Sequence, residues 1–497
     1  MMKALLTAVL CMALAIGCAA GPAPPGGRSD VRSEIDSFAR RALREIGTTP
    51  GLTVVVVEND RVVYRGDFGL RDVEARLPVT ADTRFYLASS TKAFTAMAAA
   101  ILAAEGKLDL DAPVKATWPE LEVTPPLDPR RISLRDLLAM RSGLANDTVD
   151  FRMDLGNIPD DRELLHLLAT YSRQEPRTFR YSNLSYVLAG RVLEKATGKP
   201  WSAVVAETIL QPLSMTSTVA GAPVSGVPVA KCYRQRGPQT FVETPAEITD
   251  LVGPAGGLLT TSADAGRWLI AMINEGRVGG RQLLPGRAVR LVQSEQTTNK
   301  KRYRYFDRFA WGLGQDLGDY EGDLIVHRFG GLNGAYSHVS FMPERRIGVA
   351  VFANGGGAVP DAVAAYAYDL LLGKRDRDAK WSAELARVAA TVAEDGARRR
   401  KSDAATVAAR RSAGHALDRY VASYHYDRLG DIQVTQREER LYAQLGLVRA
   451  ELVPVGDDAF LVDWRDSGSP ARVEFVFDGS GRALRIDWGG RIFDRVP

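Results

Sequence analysis

The feature that most constrains this chain is an interruption. Two strand-forming stretches near its front, LTVVVVE (52–58) and VVYRGDF (62–68), flank Asn59-Asp60, a pair suited to a hairpin turn. Strand patterns then vanish. From about Ala93 to Ala271 the apolar spacing is mainly helical, and strands return only from Trp311 to Asn354, as in HVSFMPERRIGVAVFANGG. Early and late strands of one antiparallel sheet are thus separated by an inserted helical block, and a cleft is expected where sheet and insert meet. Helices should cover the sheet: Val31, Ile35, Phe38, Ala42 and Ile46 recur at helical spacing before it, and about Asp361 to Leu372 should close it.

Beyond Lys374 the pattern changes twice. Residues 375–416 are alanine-rich and charged, as in a helical linker, and Arg398-Arg399-Arg400-Lys401 there reads as a solvated face. Residues 417–497 carry short alternating runs (YVASYHY, DIQVTQ, RLYAQL, FLVDW, VEFVFDG, LRIDW), which predict a small antiparallel β domain. The 497 residues are 45% hydrophobic and 25% charged, enough for a large core. With 64 basic against 60 acidic residues, the chain has no charge bias that argues for nucleic acid.

The first residues, MMKALLTAVLCMALAIGCAAGPAPPGG, read as a signal peptide, with an apolar run too short to span a membrane. Ala15-Ile16-Gly17-Cys18 resembles a bacterial lipobox, which implies cleavage after residue 17 and a lipid on Cys18. Ala19 then favours an outer-membrane anchor facing the periplasm, with residues 18–30 as a tether. Of the three cysteines only Cys232 lies beyond the leader, so neither a disulfide nor a cysteine metal site is expected. No metal or cofactor motif occurs, and His166, His338, His415 and His425 are scattered as structural histidines are.

Chemistry concentrates in RFYLASSTKAFTAMAAAILAAEG. Ser89 and Lys92 form the chain's sole Ser-x-x-Lys, at the start of a strong helix-forming run. Residues three apart share a helix face, which sets the amine against the hydroxyl. A serine needs a base to become a nucleophile, and a buried lysine can serve once its pKa falls.

With this motif, Tyr181-Ser182-Asn183 resembles the Tyr-x-Asn element of class C β-lactamases, penicillin-binding proteins and the related esterases and D-aminopeptidases. LRDLLAMRSGL, PAGGLLTTSADAGRWLIAMINEG and WGLGQ extend the likeness over most of residues 51–372. The resemblance implies the β-lactamase/transpeptidase-like fold over 31–374, followed by a lipocalin-like half-barrel. It also implies Ser89 as nucleophile, Lys92 and Tyr181 as acid/base groups, and Asn183 as a substrate and lysine organiser.

Two departures stand out. Met140 occupies a position usually held by His, and the family's Lys-Thr-Gly or His-x-Gly is missing from the strand HRFGGLNGAYSHVSFMPE. Aligned on Gly330, Gly331 and Gly334, either Arg328 supplies the cation or a bulge swings His327 into place. The Gly331 amide would then complete an oxyanion hole with that of Ser89. The expected activity is acyl transfer from a small-molecule or peptide substrate to water, as an esterase or D-amino peptide hydrolase. The alternatives are β-lactamase activity and a non-catalytic, cell-wall-sensing scaffold.

Overall fold

Why the chain tolerates so long an insertion is clear from its central sheet. The computed structural model describes residues 28–497 except 159, 222–225, 238, 245, 247–248 and 465–468; the leader, with Cys18, lies outside the described residues. Helix α1 (Arg28–Ile46) precedes β1 (Gly51–Glu58), β2 (Arg61–Asp72) and the short β3 (Leu77–Pro78). Asn59 takes a left-handed φ of 60° at the β1–β2 turn, a conformation Asn tolerates better than most residues. Strands β4 (Thr297–Tyr303), β5 (Phe306–Trp311), β6 (Asp316–Tyr320), β7 (Asp323–Leu332), β8 (Ala335–Met342) and β9 (Ile347–Ala353) follow the insert. They form one nine-stranded sheet in the order β4-β5-β6-β7-β8-β9-β1-β2-β3. The β1–β9 seam, with Val55 opposite Ala350, joins the two halves of the chain.

Both faces of β1 are covered, so its run of valines serves two cores. Val55 and Val57 pack toward the helical insert, whereas Leu52, Val54 and Val56 pack toward α1. Within the insert, α2 (Thr91–Ala104), α3 (Asp147–Asp154), α4 (Asn183–Thr197) and α5 (Ser262–Ile273) carry the residues that reach the cleft or back it. On the far face α1 packs on α6 (Ala358–Leu371), where Phe38 stacks on Tyr366 at 3.9 Å. Helix α7 (Arg377–Ala408) buries Trp381, Leu385 and Val388 near its start and leaves Val407 exposed near its end.

The last eight strands, from Ala422–Tyr426 to Arg491–Arg495, close into an antiparallel barrel whose first and last strands pair at Tyr424 and Arg495. Tyr420, Tyr424, Phe460, Phe475 and Phe493 contribute to its core, so large aromatics pack its interior. The barrel docks beside the end of α3. Leu155 joins its apolar core, Leu447 N donates to the Leu155 carbonyl (2.8 Å), and Asn157 Nδ2 donates to the Leu429 carbonyl (2.7 Å).

Candidate active site

Ser89 lies in a tight turn (Ala88–Ser90) between a short strand and α2. Ala88 holds a φ of 44°, a strained conformation for a residue with a Cβ, and such strain clusters at functional sites. The turn is clamped by its surroundings. Leu87 N donates to the Leu258 carbonyl (2.8 Å), Ser337 Oγ donates to the Leu87 carbonyl (2.6 Å), and the hydroxyls of Ser90 and Ser337 meet at 2.8 Å.

Lys92 follows one turn later, fully buried. Its ammonium donates to Ser89 Oγ (3.1 Å), Asn183 Oδ1 (2.8 Å) and the Ala255 carbonyl (2.7 Å), three acceptors for three protons. Burial pulls its pKa down to about 8, with Tyr181 opposing and Arg328 assisting. Asn183, the first residue of α4, therefore fixes the lysine with its carbonyl end while lining the same cavity as Ser89.

The Tyr181 hydroxyl donates to Ser89 Oγ at 2.7 Å and accepts from Arg328 Nη2 at 2.8 Å. Although 41% of the residue is exposed, its titrating end is held by these groups. Burial would push the phenol up; the charges of Arg328 and then Lys92 outweigh it and hold the pKa at about 8. Met140 braces the segment. In a left-handed conformation (φ 56°), it accepts from Arg180 N through its carbonyl (2.8 Å) and from Ser182 N through its thioether (3.2 Å). The tyrosine is thus pinned on both sides.

Of the two candidates on β7, the structure brings Arg328 to Ser89 and not His327. Neighbours on a strand point to opposite faces, so only one of them can enter the cleft. His327 is 1% exposed and lies on the α1–α6 side, 5.2 Å from the ring of Phe306. Burial, followed by Arg308, pushes its pKa well below the ordinary value, which leaves it neutral. No bulge carries it to the site: β7 pairs with β8 in unbroken register from Val326 to Leu332. Arg328 engages all three guanidinium nitrogens. Nη2 meets Tyr181, Nε donates to the Ser89 carbonyl (3.2 Å), and Nη1 pairs with Asp316 (3.2 Å). It is therefore a fixed positive charge on the tyrosine, not a free hook for a substrate carboxylate.

Sequence reasoning missed Asp316, which sits directly after the WGLGQ motif. It is fully buried and held by Arg328, by Asn299 Nδ2 (3.0 Å) and near Arg308 (3.4 Å). An acidic residue opening a mostly buried strand was the available signal, because a buried carboxylate needs a cation. Gly330 and Gly331 complete the wall. A Cβ on Gly330 would lie 2.2 Å from the Leu87 carbonyl oxygen and 2.7 Å from Ser89 N, so only glycine lets β7 approach the turn this closely. Gly331 lines the cavity with Ser89.

A Ser–His–Asp chain exists elsewhere. Ser340 Oγ meets His338 Nε2 at 2.7 Å, and His338 Nδ1 meets Asp361 at 2.7 Å. All three are buried against α6, where Tyr368 also bonds Ser340 (2.8 Å), so this chain serves the core.

With the geometry in place, relatives can be assigned. The beta-lactamase family profile matches residues 39–374. The chain belongs to the beta-lactamase family. Its members are generally serine hydrolases. A second profile, a domain of unknown function (DUF3471), matches residues 407–494, over the barrel. Protein flp of Staphylococcus aureus (strain COL) is 25% identical over 329 residues, which cover 66% of this chain and 64% of flp. The unguisins hydrolase ungD' of Aspergillus campestris is 27% identical, over 66% of this chain and 62% of its own length. The chain thus spans less than two thirds of these relatives. The octameric penicillin-binding protein homologue from Pyrococcus abyssi superposes with a TM-score of 0.61 over 93% of this chain and 99% of that one. At 23% identity, that likeness speaks for the fold.

Proposed function

We propose that this beta-lactamase-family chain is a hydrolase that cleaves a neutral ester or amide through an acyl-enzyme on Ser89, as an esterase or D-amino peptide hydrolase. The observation that carries the reading is the Tyr181 hydroxyl, 2.7 Å from Ser89 Oγ and under the charge of Arg328. With Tyr181 and Lys92 both near pKa 8, one deprotonated member of the pair accepts the serine proton as Oγ attacks the carbonyl carbon. The amides of Ser89 and Gly331 stabilise the oxyanion. Collapse breaks the bond to the leaving group, which takes that proton from Tyr181, directly or after its transfer from Lys92 to Tyr181. Water then attacks the acyl carbon, giving its proton to Tyr181, which passes it to Ser89 Oγ as the acyl–oxygen bond breaks and the free acid leaves.

Because all three guanidinium nitrogens of Arg328 are engaged, it does not offer a free charge to the carboxylate that β-lactams carry, which argues for uncharged substrates over a dedicated β-lactamase. That a relative is named as a hydrolase of unguisins supports hydrolysis rather than scaffolding. The test is covalent: a fluorophosphonate should label Ser89, mapped by peptide mass, and p-nitrophenyl acetate should turn over faster than a penicillin or cephalosporin. Labelling at another residue, or faster β-lactam turnover, defeats the reading. We further propose export and acylation at Cys18, which the mass of the mature N-terminus would test.

Activity should rise with pH through about 8, as the Lys92–Tyr181 pair loses its proton. Arg328 lowers both groups, so Arg328→Ala should move that rising limb to higher pH, by about 1–2 units for the loss of an adjacent charge. A kcat/KM profile that stays in place, or moves toward acid, contradicts this role.

A further inference from the structure

Exposed apolar side chains scattered singly need no explanation, but three that converge on one concavity do. Val242 (43% exposed), Val407 (69%) and Leu447 (49%) belong to a hairpin strand (Thr240–Glu243), to α7 and to the barrel, yet they line a single cavity of about 580 Å³. This cavity adjoins the Ser89 cavity of about 660 Å³; the two share Arg234, Asn333, Val448 and Trp464. Each has the volume of an ordinary small-molecule pocket, so their union exceeds what a simple ester needs.

The chemistry of the second cavity is specific. Its four arginines are matched in number by four acidic residues, with Arg410 beside Glu451 at 2.7 Å and Arg236 beside Asp403 at 4.0 Å, which gives no net bias toward a charged ligand. At the junction Arg234 donates to Asn333 Oδ1 (2.6 Å), and Thr244 lines the wall beyond, a polar border suited to backbone amides. Apolar side chains set among such polar groups fit a peptide better than a bare acyl chain.

We propose that this cavity is a second substrate subsite, holding an uncharged, apolar stretch of peptide that extends from the bond attacked by Ser89. The barrel, through Leu447, Val448 and Trp464, is then a specificity element of the hydrolase. The inference rests on Ser89 as the acyl-transfer centre, so its test includes an arm that needs no turnover.

In the full chain carrying Cys11→Ala, Cys18→Ala, Ser89→Ala and Val407→Cys, the introduced thiol can be followed by maleimide labelling. Cys232 is buried, with its thiol pushed up to about 12, and stays silent. An acetylated, amidated Ala-Leu-Ala-Leu peptide should slow labelling about fivefold or more at saturation, whereas tetra-Glu and tetra-Lys analogues should not. Equal labelling with and without the neutral peptide, equal protection by charged peptides, or protection by lauroylglycerol alone each overturns the proposal. In the active protein, Val407→Asp with Leu447→Asp should lower kcat/KM for a peptidyl p-nitroanilide, relative to p-nitrophenyl acetate, about tenfold. An unchanged ratio overturns the subsite. A wild-type protein that turns over neither substrate sinks the Ser89 reading alone, since the labelling arm still reports occupancy.

Discussion

Ser89→Ala should lower the hydrolysis of p-nitrophenyl acetate by about 10⁴-fold or more and abolish covalent labelling, a loss typical of removing a hydrolase nucleophile. The fold should persist, because Lys92 keeps Asn183 and Ala255 as acceptors and Tyr181 keeps Arg328. The informative control is Ser340, which also has an adjacent base in His338. Ser340→Ala should behave in the opposite manner. Activity should survive, while stability drops by about 1–3 kcal/mol, because His338 and Tyr368 lose a buried partner. Near-normal turnover in folded Ser89→Ala would disprove the nucleophile assignment.

A single added methyl group should be nearly as damaging. Gly330→Ala places its Cβ 2.2 Å from the Leu87 carbonyl oxygen and 2.7 Å from both Ser89 N and Ser337 Oγ. Two of these three atoms are backbone, so the nucleophile turn must move rather than a side chain turning aside. We expect kcat/KM to fall about 10²–10³-fold, the scale of a lost oxyanion donor. Unfolding stability should fall by about 1–3 kcal/mol, as for other overpacked sites. Gly331→Ala is the contrast: the nearest atoms to its Cβ would be those of the Tyr336 ring, at 3.1 Å, and it should cost far less. Equal effects of the two, by steady-state kinetics and thermal melting, would show that β7 does not press on the turn.

The order of elements was legible because each depends on local pattern. The valine run of β1, the apolar spacing of α1 and the Asn59-Asp60 turn needed only neighbouring residues to be read. The pairing of Ser89 with Lys92 was legible for the same reason, since one helical turn fixes i to i+3. Tyr181 and Asn183 were found by resemblance alone. Nothing in their own sequence says that a helix start some ninety residues away meets Ser89.

By itself, then, the sequence determined the split sheet, the helical insert, the appended β domain, and a serine beside a lysine, all products of short-range periodicity. Tertiary structure alone decided the rest. His327 and Arg328 are adjacent, and which one faces the cleft depends on β7's register against β8, set by pairing across the sheet. Asp316 became legible as Arg328's counter-ion only once β6 lay beside β7. The barrel's approach to the Ser89 cavity arises from contacts between Leu155 and Leu447, nearly three hundred residues apart. Burial and charge then act on what packing has assembled, and they bring Lys92 and Tyr181 to a common pKa near 8.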